Sequence, residues 1–370
     1  MKRKKVVFFG GRMIMGGLEM VLKNLVDELA RFEDLEIVVC ARVKEPYFLD
    51  WFAANADRIK LHNSQFFRIR HPRRGLVGKL AYRLWGASAD RYVKRILADA
   101  DIVVDFVSSW NYKLVKNFSG RKIVWVHPGF GSIMRTLNIA DILKYDDIVC
   151  LTKSCLDDFV SVFPEHSENI TNIYNTVPYR NILAKAQNQS APTGKYFVSV
   201  TRLDWDKDVS TLLAGFDRFW RDNGRPDVRL YVVGEGPLRD QMQAIAENME
   251  SHNQIVFTGK IPEPYAYMRN SLAHILSSMA EGLPTVLIEA AAAGALNIAS
   301  DCKSGPGEIL MRGSAGLLFT PGNWEELARL MADVYFGRVD RDGLIANANA
   351  GLTRFDAENV VPRVRELLIK

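Results

Sequence analysis

Two carboxylates, Glu281 and Glu289, bracket the stretch Gly282-Leu-Pro-Thr-Val-Leu-Ile288. The apolar run His274–Ser277 before them reads as a strand, and Ala290–Ala293 after them continue a helix. Pro284 suits the first helical turn, where no amide hydrogen is needed. The amides of residues 283 to 286, including Leu283 and Thr285, are then free to face an anion, with the helix dipole adding attraction. Acid on either side of an anion site fits a ligand whose hydroxyls flank a phosphate. The plainer alternative is an acidic helix start with a solvated Glu.

Three further groups stand where strands end. Arg202-Leu-Asp-Trp-Asp-Lys207 follows the strand Phe197–Thr201. A guanidinium fork and an ammonium point charge can bracket a diphosphate; the alternative is a solvated loop paired with Asp204, Asp206 or Asp208. Gly10-Gly-Arg-Met-Ile-Met-Gly16-Gly17 lies between a strand and a helix, where glycine lets backbone approach a phosphate. Gly234-Glu-Gly-Pro237 has the same character, with a tight turn as its alternative. His127 follows the strand Ile123–Val126 and is placed either to contact a sugar hydroxyl or to serve the structure.

The elements that must hold these residues come in two series. Lys5–Phe9, Leu35–Cys40, Ile102–Phe106, Ile123–Val126 and Asp147–Leu151 are predicted strands, with a helix at Leu18–Phe32. After the polar stretch ending at Gly194 a second series runs through Phe197–Thr201, Arg229–Val233, Gln254–Phe257, His274–Ser277, Leu296–Ser300 and Ala315–Phe319. Alternating strand and helix predicts an α/β chain with two doubly wound parallel sheets. The expected division is 1–178, a linker at 179–195, 196–352, and a C-terminal helix within 353–370 that packs back on the first domain. Ligands in such folds bind beyond the carboxyl ends of the strands, so the expected site is a cleft between the domains.

Taken together the motifs resemble the retaining GT-B glycosyltransferases of family 4. Glu281 and Glu289 are similar to that family's pair of glutamates, Arg202 and Lys207 to its Arg-Leu-x3-Lys step, and Gly16-Gly17-Leu18-Glu19 to its N-terminal turn. Asn175-Thr-Val177, Val233-Gly-Glu-Gly-Pro237 and Phe257-Thr-Gly259 follow in the family's order. The resemblance implies that Arg202 and Lys207 hold a donor diphosphate, Glu289 the ribose and Glu281 the donor sugar. It implies that Gly16 and Gly17 approach phosphate, that His127 lies near the transferred sugar, and that Gly259, Lys260 and Ile261 flank the base. Gly282, Leu283, Pro284 and Thr285 complete the donor set. No metal or other cofactor is expected, and the anomeric configuration would be retained by same-face attack. The family often has glycine where this chain has Thr201 and Asp208; Asp208 puts an acid near the proposed phosphate site.

Of the 370 residues, 48% are hydrophobic and 25% charged, with a net charge of +5, which fits a folded two-domain protein. The four cysteines are scattered, giving neither a disulfide framework nor a zinc pattern. No apolar run approaches the ~18 residues of a membrane span, so a cytoplasmic location is expected. Residues 66–95 carry nine Lys or Arg against one acid, with aromatics interleaved. Arg68, Arg70, Arg73, Arg74, Lys79, Arg83 and Trp85 thus read as an acceptor-side patch meeting an anionic membrane, each cation worth about 1 kcal/mol; a solvated basic helix is the alternative.

The expected activity is transfer from UDP-galactose, UDP-glucose or a UDP-N-acetylhexosamine to a glycan or lipid-linked glycan of the bacterial surface. Cys302-Lys-Ser-Gly-Pro-Gly-Glu308 resembles a variant found in such transferases. Nucleic acid is not an expected partner. The rivals are a metal-dependent GT-A enzyme using Asp204-Trp-Asp206 or Asp206-Lys-Asp208, a GT-B-shaped epimerase, and a non-enzymatic binding protein.

Overall fold

The computed structural model describes residues 3–13, 16–64, 76–108 and 111–370, with the side chains of 76–83 and of Trp85 outside the description. The chain forms two compact units, one of Met1–Thr176 with Ala357–Lys370, the other of Val177–Asp356.

The first unit is built on a seven-stranded parallel sheet of order β3-β2-β1-β4-β5-β6-β7. Its strands are β1 (Lys4–Met13), β2 (Leu35–Val43), β3 (Ile59–Asn63), β4 (Ile102–Asp105), β5 (Arg121–Val126), β6 (Asp147–Cys150) and β7 (Ile170–Asn172). The central strands are near-continuous apolar runs because helices cover both faces. Val6 to Phe9, Ile102 to Val104 and Ile123 to Val126 are all buried, each large side chain contributing about 1.5–3 kcal/mol. The helix Gly17–Leu29 buries Val21, Leu22, Leu25, Val26 and Leu29 along one face. The C-terminal helix Ala357–Ile369 belongs to this unit: Arg365 pairs with Asp34 at 2.5 Å, and the Leu367 carbonyl accepts from Arg121 at 2.6 Å.

Two readings change here. Gly10 to Met13, expected as loop, continue β1 after an irregularity between Phe9 and Gly11, where Gly11 has φ +63°. The edge strands β3 and β7 were not anticipated. Both are short and carry polar residues, so they lack the apolar run of a central strand.

The second unit has a six-stranded parallel sheet of order β10-β9-β8-β11-β12-β13. Its strands are β8 (Tyr196–Val200), β9 (Arg229–Val233), β10 (Ile255–Gly259), β11 (His274–Leu276), β12 (Asn297–Ser300) and β13 (Leu317–Phe319). Phe197, Leu212, Phe216, Phe219, Leu230, Ile275, Ile298 and Met331 are central to its core. Much of the stretch read as linker is helix, Tyr179–Asn188, with Ile182 and Ala186 buried. Strand order reverses direction between β8 and β11, so the loops leaving those two strands diverge and open a crevice.

Candidate functional site

The crevice at the carboxyl ends of β8 and β11 carries the charged residues. Lys207 closes the short turn Trp205–Lys207, and Glu281 lies in the loop between β11 and the helix Thr285–Ala292. Lys207 Nζ lies 2.7 Å from Glu281 Oε1, with side chains only 17% and 10% exposed. Ser278 Oγ donates to the same carboxylate oxygen at 2.7 Å. Lys207 Nζ also lies 3.3 Å from Asp206 Oδ2. Burial alone would lower the ammonium pKa, yet the Glu281 and Asp206 carboxylates carry it above its ordinary value. The loops are tied together as well: Ser277 Oγ donates to the Lys207 carbonyl and the Met279 amide to that of Asp206, both at 2.9 Å.

Arg202 is more exposed, and its Nη2 lies 3.2 Å from Asp204 and 3.5 Å from Asp206. The solvated-loop pairing is therefore present, with Arg202 held by the carboxylates of its own loop. Asp204 also accepts from the Trp205 amide at 2.8 Å. Both acids of the Asp204-Trp-Asp206 triplet are thus engaged by cations or backbone. Among the described residues no group of three or more His, Cys, Asp or Glu is placed to hold a metal ion.

Asp208, the residue that put the phosphate site in question, turns its carboxylate elsewhere. It caps the helix Val209–Asp222, its Oδ1 accepting from the Ser210 hydroxyl at 2.6 Å and the Thr211 amide at 3.3 Å, its Oδ2 from the Thr211 hydroxyl at 2.6 Å. Its φ of +41° explains why glycine suits the position.

Glu289 lies one turn into the helix Thr285–Ala292 and is held by Thr285. Desolvation lifts its carboxyl pKa above the ordinary value, with the Thr285 hydrogen bond opposing. Pro284 is the N-cap, one position earlier than expected, and offers no side-chain cap. Leu283 and Pro284 are buried, and Gly305 of the loop after β12 packs directly on them.

The glycines of 234–237 have a specific task. A Cβ on Gly234 would stand 1.8 Å from the Thr201 carbonyl oxygen, and one on Gly236 2.2 Å from that of Leu203. Leu203 exchanges backbone hydrogen bonds with Glu235 and Leu238, both at 3.0 Å. This turn clamps the Arg202 loop. Gly259 has φ +75° and its carbonyl accepts from the Gly234 amide at 2.9 Å, which sets the position of Lys260. Ile261 packs on Tyr196, Tyr231 and their neighbours.

In the first unit, Gly16 caps the helix Gly17–Leu29 in extended backbone, and a Cβ on Gly16 would stand 2.6 Å from Glu19 Oε2. Among the described residues nothing lies within 4 Å of the position a Cβ on Gly17 would take, so backbone there is open to approach. His127 leaves β5 with its ring edge-on to Phe106, centroids 4.7 Å apart. Burial drops its pKa to about 4, so the ring is neutral at ordinary pH. Its Nε2 is buried and without a partner among the described residues. Ser108 Oγ holds the strand end, donating to Trp125 O at 3.3 Å and accepting from His127 N at 3.1 Å. Sequence reasoning missed the supports Ser108, Ser277 and Ser278, since serines at strand ends carry no spacing signal. Arg68, Arg70, Arg73 and Arg74 lie outside the described residues. Lys79, Arg83 and Trp85 fall in the helix Leu76–Ile96, but their side chains are outside the description.

The fold is that of GT-B glycosyltransferases. Anabaena HepE, solved in complex with UDP and glucose, matches 99% of this chain and 100% of its own, with a TM-score of 0.76 and 16% identity. Two parallel doubly wound units set aside the GT-A alternative. Residues 182–350 match the family model described as Glycosyl transferases group 1. Among relatives, the N-acetylgalactosamine-N,N'-diacetylbacillosaminyl-diphospho-undecaprenol 4-alpha-N-acetylgalactosaminyltransferase of Campylobacter jejuni is 28% identical over 202 residues, 54% of each chain. The lipopolysaccharide 1,6-galactosyltransferase of Salmonella typhimurium is 24% identical over 254 residues, 67% of this chain and 69% of its own. The chain thus spans about half the length of the Campylobacter relative it matches.

Proposed function

We propose that this protein is a retaining glycosyltransferase that moves a sugar from a nucleotide-diphosphate donor to a glycan or lipid-linked glycan in bacterial surface-polysaccharide synthesis. The observation that carries the reading is the Lys207–Glu281 pair at the topological switch point of the second unit. It lies within the segment that matches the glycosyltransferase family model. A uridine diphosphate donor is favoured because HepE was solved with UDP and glucose. A surface-glycan acceptor is favoured by the names of the Campylobacter and Salmonella relatives.

In this reading Lys207 and Arg202 exchange their carboxylate partners for the diphosphate. Glu289 accepts hydrogen bonds from the ribose hydroxyls and Glu281 from the transferred sugar, with Gly259, Lys260 and Ile261 beside the base. Gly282 and the first-turn amides near Thr285 add helix-dipole attraction. Gly16 and Gly17 offer backbone to phosphate, and the neutral His127 offers Nε2 to a sugar hydroxyl. The anomeric C–O bond to the β-phosphate breaks, the acceptor oxygen bonds to the anomeric carbon from the same face, and its proton passes to a phosphate oxygen. Charge on the departing diphosphate is met by fixed cations, so stabilisation needs little reorganisation. We place the chain in the cytoplasm, at the membrane's inner face through Arg68, Arg70, Arg73, Arg74, Lys79, Arg83 and Trp85. Sedimentation with anionic vesicles at low salt tests that placement.

The test of activity is incubation with UDP-glucose, UDP-galactose and UDP-N-acetylhexosamines, with and without lipid-linked glycan acceptors, read by mass spectrometry. An acceptor gaining one sugar residue with release of UDP is expected. Isomerised donor without acceptor would move the reading to an epimerase.

A further inference from the structure

The loop after β12 carries two features that the proposed mechanism does not use, both at Ser304. Its backbone sits at φ +104° and ψ −117°, a region that residues with a side chain avoid. Its hydroxyl is buried without a hydrogen-bond partner among the described residues, Ser304 being 8% exposed. Serine at the start of a helix ordinarily gives its oxygen to an amide of the first turn. Here it makes no such capping bond. Backbone strain of this kind and an unsatisfied buried hydroxyl both count against the folded state. Glycine would relieve the first and alanine the second, yet the chain carries serine.

The flanking residues place Ser304 beside the donor site. A Cβ on Gly305 would come within 2.2 Å of the Gly282 carbonyl oxygen and 2.4 Å of Pro284 Cδ, so this loop lies directly on the Glu281–Pro284 segment. On the other side, burial and then the Glu281 carboxylate push the Cys302 thiol up to about 11. The loop therefore packs on the residues that directly follow Glu281 in the chain. A hydroxyl both donates and accepts, which matches the hydroxyl and amide groups of a sugar better than the acceptor-only oxygens of a phosphate.

We propose that Ser304 is a specificity-determining residue whose hydroxyl hydrogen-bonds the transferred sugar of the donor. This rests on the glycosyltransferase reading. Donor sugar replaces the missing partner on binding, so the strained backbone is kept for the position it gives the oxygen. A site built to hydrogen-bond one sugar group discriminates against a donor lacking it, because the buried hydroxyl is left unpaired.

The experiment compares wild type, Ser304→Ala and Ser304→Gly by calorimetric titration with UDP, UDP-glucose, UDP-galactose and UDP-N-acetylglucosamine. Wild type should bind one UDP-sugar best. In both variants UDP affinity should stay within twofold, while affinity for the preferred UDP-sugar falls about tenfold and preference among sugars narrows. Ser304→Gly should also raise the melting temperature, since it removes backbone strain. An equal loss for UDP and UDP-sugar would assign the hydroxyl to phosphate and overturn the proposal, as would unchanged sugar preference. Failure of wild type to bind any nucleotide would instead overturn the glycosyltransferase reading itself.

Discussion

Lys207 Nζ and Glu281 Oε1 stand 2.7 Å apart and largely buried, each projecting from the loop of a different strand. The pair locks the two loops of the crevice together. Removing one partner leaves the other charge desolvated and alone, and that cost exceeds the net contribution of the intact pair.

Lys207→Met should therefore lower stability by about 2 kcal/mol, a value reduced from that of a fully buried pair because both groups keep some solvent. Glu281→Gln in the same chain should restore much of the loss. Urea unfolding of the two single variants and the double variant measures the coupling. Strict additivity would mean that the pair does not hold the loops.

Asp208 combines a cap with a left-handed backbone, so its substitutions should separate by residue type. Asp208→Ala loses the cap and keeps the strained φ that wild type already carries, at about 1 kcal/mol or somewhat more. Asp208→Gly loses the cap but relieves the strain, and should fall within about 1 kcal/mol of wild type. Thermal melts of the two variants decide this. A glycine variant as unstable as the alanine one would assign the whole effect to the carboxylate.

Burial should give the protein an acid-labile window. His127 and His274 both have native pKa values of about 4 against an ordinary 6.5. The unfolded chain binds protons first as pH falls, so stability from these rings is complete above about 6.5 and lost between 6.5 and 4. Each contributes about 3 kcal/mol across that window. Urea midpoints measured from pH 7 to pH 4 should fall steeply, and less steeply in His127→Gln. A flat profile would show that the rings titrate normally.

Glu289 gives the opposite sign for folding and a distinct one for binding. Its raised carboxyl pKa means that the folded chain favours the neutral form, so its contribution to stability is complete below the ordinary value and lost as pH rises through the raised one. Glu289→Gln should thus be more stable at pH 7 and a weaker binder of UDP. In wild type, UDP affinity should fall as pH drops through the raised pKa, because a protonated carboxyl accepts fewer ribose hydrogen bonds. Calorimetric titration across pH 4 to 8 checks both; a variant with wild-type affinity would remove Glu289 from the ribose.

The strands that carry these residues were readable because parallel sheets covered on both faces need unbroken apolar runs, as in Val6–Phe9 and Ile123–Val126. The edge strands Ile59–Asn63 and Ile170–Asn172 were not, since half-exposed strands tolerate residues such as His62 and Thr171. Lys207 and Glu281 could be singled out by type and position, but not their mutual contact, which depends on how β8 and β11 neighbour in the sheet. Ser278, Ser108 and Ser304 stayed hidden because a hydroxyl's role is set by what surrounds it. Asp208 looked like an obstacle in the sequence because spacing says nothing of the direction in which a carboxylate turns.

The most direct test of the account is titration of UDP and of uridine, with EDTA present, into wild type and into Arg202→Ala and Lys207→Ala. The account predicts that wild type binds UDP far more tightly than uridine, and that Lys207→Ala loses on the order of 100-fold in UDP affinity with little change for uridine. Equal affinity of wild type for UDP and uridine, or UDP binding indifferent to Lys207, would contradict a diphosphate site at the Lys207–Glu281 pair.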